Sequence, residues 1–166
     1  GKDVYGGGIY NSGMLTVTNS TISGNVAASK GGGIWSGGTL NVTNSTISGN
    51  TGGDFGGGIH NDFGTVSVTN STVSGNNADG ARGGGISAFG GTVNVINSTV
   101  SGNSASSSQG GGIFHEFGGT VNLTNSTISG NTSNSGDGGG VYNGPGNTLN
   151  ARNTIIAGNT APTGPD

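Results

Sequence analysis

Hydrophobic residues recur along this chain in a fixed pattern. Residues 15–25 read Leu-Thr-Val-Thr-Asn-Ser-Thr-Ile-Ser-Gly-Asn, and this eleven-residue frame returns five times without insertion or deletion. Leu15 and Val17 alternate with threonines, which predicts a β-strand with one buried face. A second short strand is predicted around Ile22, and Gly24 and Asn25 suit a tight corner after it. The other copies of the frame are residues 40–50, 66–76, 93–103, 121–131 and 149–159.

Three glycines and an aliphatic residue precede every copy of the frame. Successive triplets are 25, 25, 27, 27 and 28 residues apart, so the chain consists of six repeats of one unit. A third short strand is predicted where each triplet ends. The aliphatic residues that follow the triplets are Ile9, Ile34, Ile59, Ile86, Ile113 and Val141.

A single repeat has too few aliphatic side chains to form a core, so the repeats must stack on one another. The prediction is an all-β, right-handed, single-stranded parallel β-helix with six coils of about 25–28 residues and three parallel sheets. It is one domain, residues 1–166, with coils that begin near residues 6, 31, 56, 83, 110 and 138. One inward column is expected to contain Ile22, Ile47, Val73, Val100, Ile128 and Ile155.

Composition agrees with a thin but ordered core. Glycine supplies 40 of the 166 residues and hydrophobic residues only 28%, which alone would suggest disorder. The net charge of -3 is low, however, and the aliphatic residues are regularly placed. Four Lys and Arg residues argue against nucleic-acid binding, and the absence of cysteine excludes disulfides and thiolate metal sites. No apolar run is long enough for a transmembrane helix.

The fifth residue of each frame is asparagine, and these six residues are called the corner asparagines. We expect them to stack inside a corner as a structural amide ladder. All but the last also begin N-glycosylation sequons, but an asparagine held in such a stack could not present its amide to a transferase. Asn41, Asn122 and Asn131 also begin sequons and are predicted to point outward. The corner asparagines are Asn19, Asn44, Asn70, Asn97, Asn125 and Asn153.

Aromatic residues directly follow the aliphatic residue of most triplets, and alternation predicts that they point outward in one column. An exposed row of rings would be a candidate contact strip for sugar rings or for another protein. The alternative is that loop residues fold over the rings, with Phe63, Phe89 and Phe117 in the adjoining loop. The candidate strip contains Tyr10, Trp35, His60, Phe114 and Tyr142, with Ser87 between His60 and Phe114.

Candidate chemistry is sparse. His60 with Asp62, and His115 with Glu116, fall in one predicted loop two coils apart, and solvated loop residues are the favoured interpretation over a catalytic site. The first frame strand has a flat, outward polar face such as ice-binding solenoids use, but those have regular Thr pairs. Here asparagines, Ile96 and Arg152 interrupt the array, so ice binding is not favoured. No catalytic residue or cofactor is predicted. A metal site is not predicted either, because the loop aspartates stand at drifting offsets before the triplets. These aspartates are Asp3, Asp54, Asp79 and Asp137.

The paired motifs Gly-Gly-Gly-Ile and Ile-Ser-Gly-Asn resemble the repeats of polymorphic outer-membrane proteins, whose motifs are Gly-Gly-Ala-Ile and Phe-x-x-Asn. More broadly, the six repeats are similar to right-handed parallel β-helix proteins of bacterial surfaces. This resemblance implies an extracellular or cell-surface protein of a bacterium or archaeon, often adhesive and without enzymatic activity.

No capping helix or polar capping repeat is visible, so a whole number of coils is expected to be open at both ends. Such a chain is either a segment of a longer β-helix or a subunit that stacks head to tail with itself into a filament. The sequence therefore favours a non-enzymatic extracellular structural element, with self as the expected partner. The alternative is an adhesin that binds a glycan or a cell surface through the aromatic column.

Overall fold

The computed structural model describes residues 5–80 and 82–164, and every regular element in this part of the chain is a β-strand. The strands form a parallel β-solenoid, so the predicted all-β fold class is confirmed. The right-handed sense of the coil stays a prediction from the handedness of parallel crossovers.

Each coil uses the same short strands in the same order. The first two coils contain β1 (Ile9–Asn11), β2 (Met14–Thr18), β3 (Thr21–Ser23), β4 (Val26–Ala27), β5 (Ile34–Ser36), β6 (Thr39–Thr43), β7 (Thr46–Ser48) and β8 (Thr51–Gly52). The next two contain β9 (Ile59–Asp62), β10 (Thr65–Thr69), β11 (Thr72–Ser74), β12 (Asn77–Ala78), β13 (Ile86–Phe89), β14 (Thr92–Ile96), β15 (Thr99–Ser101) and β16 (Ser104–Ala105). The last two contain β17 (Ile113–Glu116), β18 (Gly119–Thr124), β19 (Thr127–Ser129), β20 (Thr132–Ser133), β21 (Val141–Asn143), β22 (Asn147–Arg152) and β23 (Ile155–Ala157).

Equivalent strands of successive coils pair in parallel, which produces four sheets where the sequence predicts three. The first three sheets have six strands each, and the fourth has five strands of two residues. Five coils therefore contain four strands, and the sixth contains three within the described residues. The repeat pattern does not reveal the fourth sheet, because two residues such as those of β4 are too few to show alternation.

The strand register follows the repeat in every sheet. Ile22 pairs with Ile47, and Ile128 pairs with Ile156. The expected aliphatic column is therefore confirmed in the first five coils but is wrong at Ile155, whose side chain is 61% exposed. Ile156 is the eighth residue of its frame, and a register shift of one residue sends a side chain to the opposite face of the sheet.

The interior of the solenoid is a stack of aliphatic side chains. Ile34 from the first sheet, Leu40 from the second and Ile47 from the third are fully buried. Burial of one such side chain contributes roughly 1.5–3 kcal/mol. Counterparts in the first and last coils, such as Ile9 and Leu149, are only partly buried. Stacking of coils therefore supplies the core that no single coil could form.

The glycine triplets occupy the tightest part of each coil. In the third coil, Gly56 has a φ of 63°, a conformation that disfavours other residues. A Cβ on Gly57 would lie 2.4 Å from the carbonyl oxygen of Asn77, and one on Gly58 would lie 3.1 Å from the Asn76 side chain. The glycine triplet therefore lies against the end of the frame. The second and third glycines are required because a Cβ there would clash with these neighbouring atoms.

Candidate functional surfaces

The residues of the candidate strip are aligned as predicted. Tyr10 pairs with Trp35 and Trp35 with His60, and Phe114 pairs with Tyr142. The exposed fraction is 9% for Trp35 and 0% for His60 and Phe114, so the expectation that these three are exposed is wrong. Tyr10 is 57% exposed and Tyr142 is partly buried. Binding through these two end rings stays a prediction.

A second layer of side chains covers the aromatic column. Residues just before the glycine triplets form isolated parallel bridges, and they are Tyr5, Lys30, Phe55 and Arg82. The Nζ atom of Lys30 lies 5.0 Å from the centre of the Phe89 ring, and the rings of Phe55 and Phe89 are 4.7 Å apart. The Arg82 guanidinium carbon lies 5.1 Å from the centre of the Phe114 ring. Of the two interpretations left open by the sequence, loop residues folding over the rings is the one observed.

His60 lies deep in this layered aromatic structure. Its ring is 5.9 Å from that of Phe55 and 4.9 Å from that of Phe89, measured between centres. Neither ring nitrogen has a hydrogen-bond partner among the described residues. Desolvation, with a smaller effect of the Lys30 charge, lowers the pKa of His60 from 6.5 to about 3. His60 is therefore neutral near pH 7 and packs as an aromatic side chain.

His115 lies on the opposite face of its strand from the aromatic column. It aligns with Ala88 and Asn143 in the interior, and its Nδ1 is 3.1 Å from the Asn143 Oδ1. Burial lowers the pKa of His115, and the hydrogen bond with Asn143 opposes that shift. The interpretation of both histidines as solvated loop residues is wrong. His60 and His115 also occupy different columns, so they do not form one site.

The acidic side chains that the structure describes do not converge on a recognisable site. Glu116 forms an ion pair of 2.9 Å with Arg82, and Asp3 lies outside the described residues. The described part of the chain contains neither a pocket nor a group of three or more His, Cys, Asp and Glu residues that could hold a metal ion. The exposed aspartates before the triplets are Asp54, Asp79 and Asp137.

Two phenylalanines are exposed beside the buried column. Phe63 is 65% exposed with a φ of 59°, and Phe117 is 59% exposed with a φ of 69°. Positive φ is unusual for a bulky side chain. Phe89 contacts Phe117 edge to face, with 5.1 Å between ring centres. A Cβ on Gly90 would lie 2.6 Å from the Phe63 ring, so glycine leaves room for that ring.

The corner asparagines lie on the outside of the solenoid, so their predicted interior position is wrong. All six are exposed, with φ between 48° and 50°. Asn125 donates to Asn97, and Asn153 to Asn125, both at 3.2 Å. The following serine occupies the interior instead: the backbone N–H of Ser71 donates to the Ser98 Oγ at 3.0 Å. The left-handed conformation of each corner asparagine turns its amide outward.

A continuous buried amide ladder is nevertheless present, at the last residue of the frame. The Asn76 Nδ2 donates to the Asn103 Oδ1 at 2.9 Å and to the Ile47 carbonyl oxygen at 3.0 Å. The Asn76 backbone N–H donates to the same Oδ1 at 3.0 Å. Asn131 belongs to this ladder and is fully buried, so its predicted outward position is wrong. These ladder asparagines are Asn25, Asn50, Asn76, Asn103, Asn131 and Asn159.

The sequence does contain a feature that could predict this ladder, although the alternation of polar and apolar residues does not show it. Asparagine is the final frame residue in all six repeats and always follows a glycine. The asparagine contacts the third glycine of the triplet because the coil closes on itself. Alternation of polar and apolar residues within single strands does not predict how the coil closes. The outward face of the second sheet carries a further, surface amide column, in which Asn122 donates to Asn94 and Asn150 to Asn122, both at 2.9 Å.

Comparison with known families agrees with this geometry. The model of the Chlamydia polymorphic membrane protein repeat matches residues 19–37. The matched segment contains Ile22 to Asn25 and the glycine triplet before Ile34, so the resemblance to these β-helix repeats is confirmed. Neither the curated proteins nor the solved structures include a significant match to this chain.

The repeat family and the parallel solenoid fit a surface structural or adhesin-like protein. They also suggest an outer-membrane or surface location, and neither is typically enzymatic. In residues 5–80 and 82–164, no helix is long and apolar enough to span a membrane.

Proposed function

We propose that this chain is a non-enzymatic structural segment of a bacterial or archaeal cell surface, whose coils stack head to tail with those of a second copy. The observation that carries the proposal is the unbroken ladder of paired strands and buried amides through all six coils. Adhesion through the aromatic column is not part of the proposal, because most of that column is covered.

The direction of the amide ladder favours head-to-tail stacking. In each step, the amide and backbone nitrogens of one ladder asparagine donate to the Oδ1 of the next coil, as Asn25 does to Asn50. A second copy in the same orientation would place its first coil, which contains Asn25, against the last coil and would keep this direction. The opposite orientation would reverse it, because two first coils or two last coils would face each other. A heterologous contact of this kind generates a filament if it does not close.

Apolar side chains of the first and last coils are the surface that the proposed contact would use. Ile9, Leu15 and Ile22 in the first coil, and their counterparts in the last coil, are only partly buried. A further coil would cover them as coils cover each other inside the solenoid. At about 4.8 Å per coil, six coils would add roughly 29 Å per subunit.

Sedimentation velocity and electron microscopy of the purified 166-residue chain test this proposal. We expect concentration-dependent rods whose lengths are multiples of one subunit. Leu149→Asp should abolish the rods, because it places a charge on the apolar end face. Thr148→Asp is the matched control: it changes the adjacent, exposed residue on the side of the solenoid and should leave rod formation unchanged.

Far-UV circular dichroism should show the same β-content for both variants, since each affects only the last coil. A single, concentration-independent species of the unsubstituted chain would exclude end-to-end stacking. Rods that persist in Leu149→Asp would contradict an apolar end contact.

A further inference from the structure

We propose that the corner asparagines of the first five coils are a modification site that carries N-linked sugars. Each is followed by Ser and then Thr, which is the acceptor sequence for N-glycosylation. Because the coils are in register, the five acceptors form a single row along one edge of the solenoid, with one acceptor per coil. The acceptors are Asn19, Asn44, Asn70, Asn97 and Asn125.

The geometry of the corner places the reactive amide in solvent. Asn44 has a φ of 49° and is exposed, while the following Ser45 is buried and donates to the Thr43 carbonyl oxygen at 2.7 Å. Thr46, the third residue of the sequon, begins β7 on its outward face. The Asn44 side chain has no hydrogen bond among the described residues. Asn97 and Asn125 are linked by one hydrogen bond of 3.2 Å between exposed side chains. Both the amide and the hydroxyl that define the acceptor therefore face outward.

The requirements of the fold do not explain the complete sequon. A left-handed corner favours asparagine, and the interior serine ladder favours a small hydroxyl residue after it. At the third position of the sequon, the fold does not require a hydroxyl residue. The sixth coil has Ile155 there, in the sequence Asn153-Thr154-Ile155, with a corner φ of 48° and the same strand pairing. The outward threonine in the other five coils is therefore free to serve recognition.

Other sequons of this chain are less suited to carry a sugar. Asn131 is fully buried, and its Nδ2 donates to the Asn159 Oδ1 and to the Val100 carbonyl oxygen. A sugar on this nitrogen would break the ladder and could not fit beside the third glycine of the triplet. Asn122 is half-buried in β18, a strand with a paired neighbour on each side, so a sugar there would crowd both neighbouring strands. The fold therefore separates accessible corner acceptors from an inaccessible interior one.

The modification joins the asparagine Nδ2 to the anomeric carbon of a sugar. The donor is an activated glycosyl phosphate, nucleotide-linked or lipid-linked, and a glycosyltransferase must supply the catalysis. The Nδ2–C bond forms as the bond between the anomeric carbon and the phosphate oxygen breaks; the phosphate keeps that electron pair, and Nδ2 loses one proton to a base. Neighbouring acceptors are one coil apart, about 4.8 Å, so short sugars fit the row better than large branched ones. Sugars on this edge would leave the end coils open.

Glycopeptide mass spectrometry of the protein purified from its own source tests the proposal. Digestion should cut at aliphatic residues, because the chain has only four Lys and Arg residues. We expect sugar masses on the corner asparagines and none on Asn131 in the folded protein. Thr46→Ala should remove the sugar from Asn44 alone, and Thr39→Ala, an outward threonine outside any sequon, should change nothing.

Protease resistance of the variants should match that of the unsubstituted protein, so that loss of sugar is not loss of fold. Unmodified asparagine at all five corners would overturn the proposal. A sugar on Asn131 in folded protein would also overturn it, since the interior ladder could not then select the acceptors.

Discussion

Two asparagine columns run along this solenoid with the same spacing and opposite environments. The ladder asparagines are buried in the inner coils, and each donates twice to the next coil, as Asn76 does to Asn103. The corner asparagines are exposed and are linked to one another only from Asn97 to Asn153 among the described residues. Regular recurrence of a polar residue therefore shows that coils are in register, but it does not show which way the side chain points.

The backbone conformation determines which of the two asparagine columns is buried. At the corner asparagines, φ near 50° directs the side chain outward and leaves the next serine to fill the interior. At the ladder asparagines, the preceding glycine takes the left-handed conformation, as Gly75 does with a φ of 60°. The amide that follows can then enter the space that the third glycine of the triplet leaves open, as Asn76 does beside Gly58.

The largest expected effect is loss of one ladder asparagine. Asn76→Ala should lower the free energy of unfolding by about 3–5 kcal/mol, because it leaves the Asn50 N–H and Nδ2 groups without their acceptor. Each unsatisfied buried group costs about 1–3 kcal/mol. Urea denaturation followed by circular dichroism measures the change.

Asn70→Gly is the matched control, six residues away in the same coil. Glycine accepts the left-handed conformation, and the exposed amide of Asn70 has no interior partner, so the change should be within about 0.5 kcal/mol. Equal losses at Asn76 and Asn70 would contradict the distinction between the two columns.

An intermediate effect is expected from crowding the ladder. In Gly58→Ala the new Cβ would lie 2.6 Å from the Gly85 carbonyl oxygen and 3.1 Å from the Asn76 side chain, so a loss of about 3 kcal/mol is expected. Gly75→Ala has open space around its Cβ and only the strain of a φ of 60°, about 1–2 kcal/mol. Thermal and urea unfolding should rank the two variants in this order. The reverse order would mean that conformation, and not close approach, requires the triplet.

A further effect, smaller than the losses expected at Asn76 and Gly58, concerns His60, whose buried ring nitrogens have no hydrogen-bond partner in the part of the chain that the structure describes. The pKa of His60 is about 3 in the folded protein and near 6.5 when solvated, so unfolded chains take up the proton first as pH falls. The stability is fully present above pH 6.5 and is lost as pH falls toward 3, by about 2 kcal/mol between pH 7 and 5. Urea denaturation at a series of pH values measures this slope.

His60→Phe should flatten much of that pH dependence, since Phe114 already occupies the same column two coils away. The lowered pKa of His115 contributes in the same direction, so His115→Ala, which copies Ala88 of its column, should remove more of it. If both variants keep the original dependence of stability on pH, the two histidines are not the groups that take up protons on unfolding, and the prediction is wrong.

The repeat predicts the stacking correctly and one strand residue incorrectly. Ile22 and Ile47 are paired as expected, because a core this thin leaves no other way to bury them. The prediction places Ile155 in the interior in place of its neighbour Ile156, since two adjacent isoleucines obscure the alternation. The aromatic column is aligned as predicted, but the burial of Trp35 depends on residues directly before the triplets, whose types differ from coil to coil.

By itself, the sequence determined the repeating unit, the parallel in-register stack and the inward aliphatic faces, because these follow from periodicity and from the need to share a core. Only the tertiary structure decided which asparagines are buried, that a fourth sheet of two-residue strands is present in the first five coils, and that a layer containing Lys30, Phe55 and Arg82 covers the rings. These outcomes depend on corner dihedrals and on contacts between residues of different coils. A pattern of hydrophobic and polar positions contains neither kind of information.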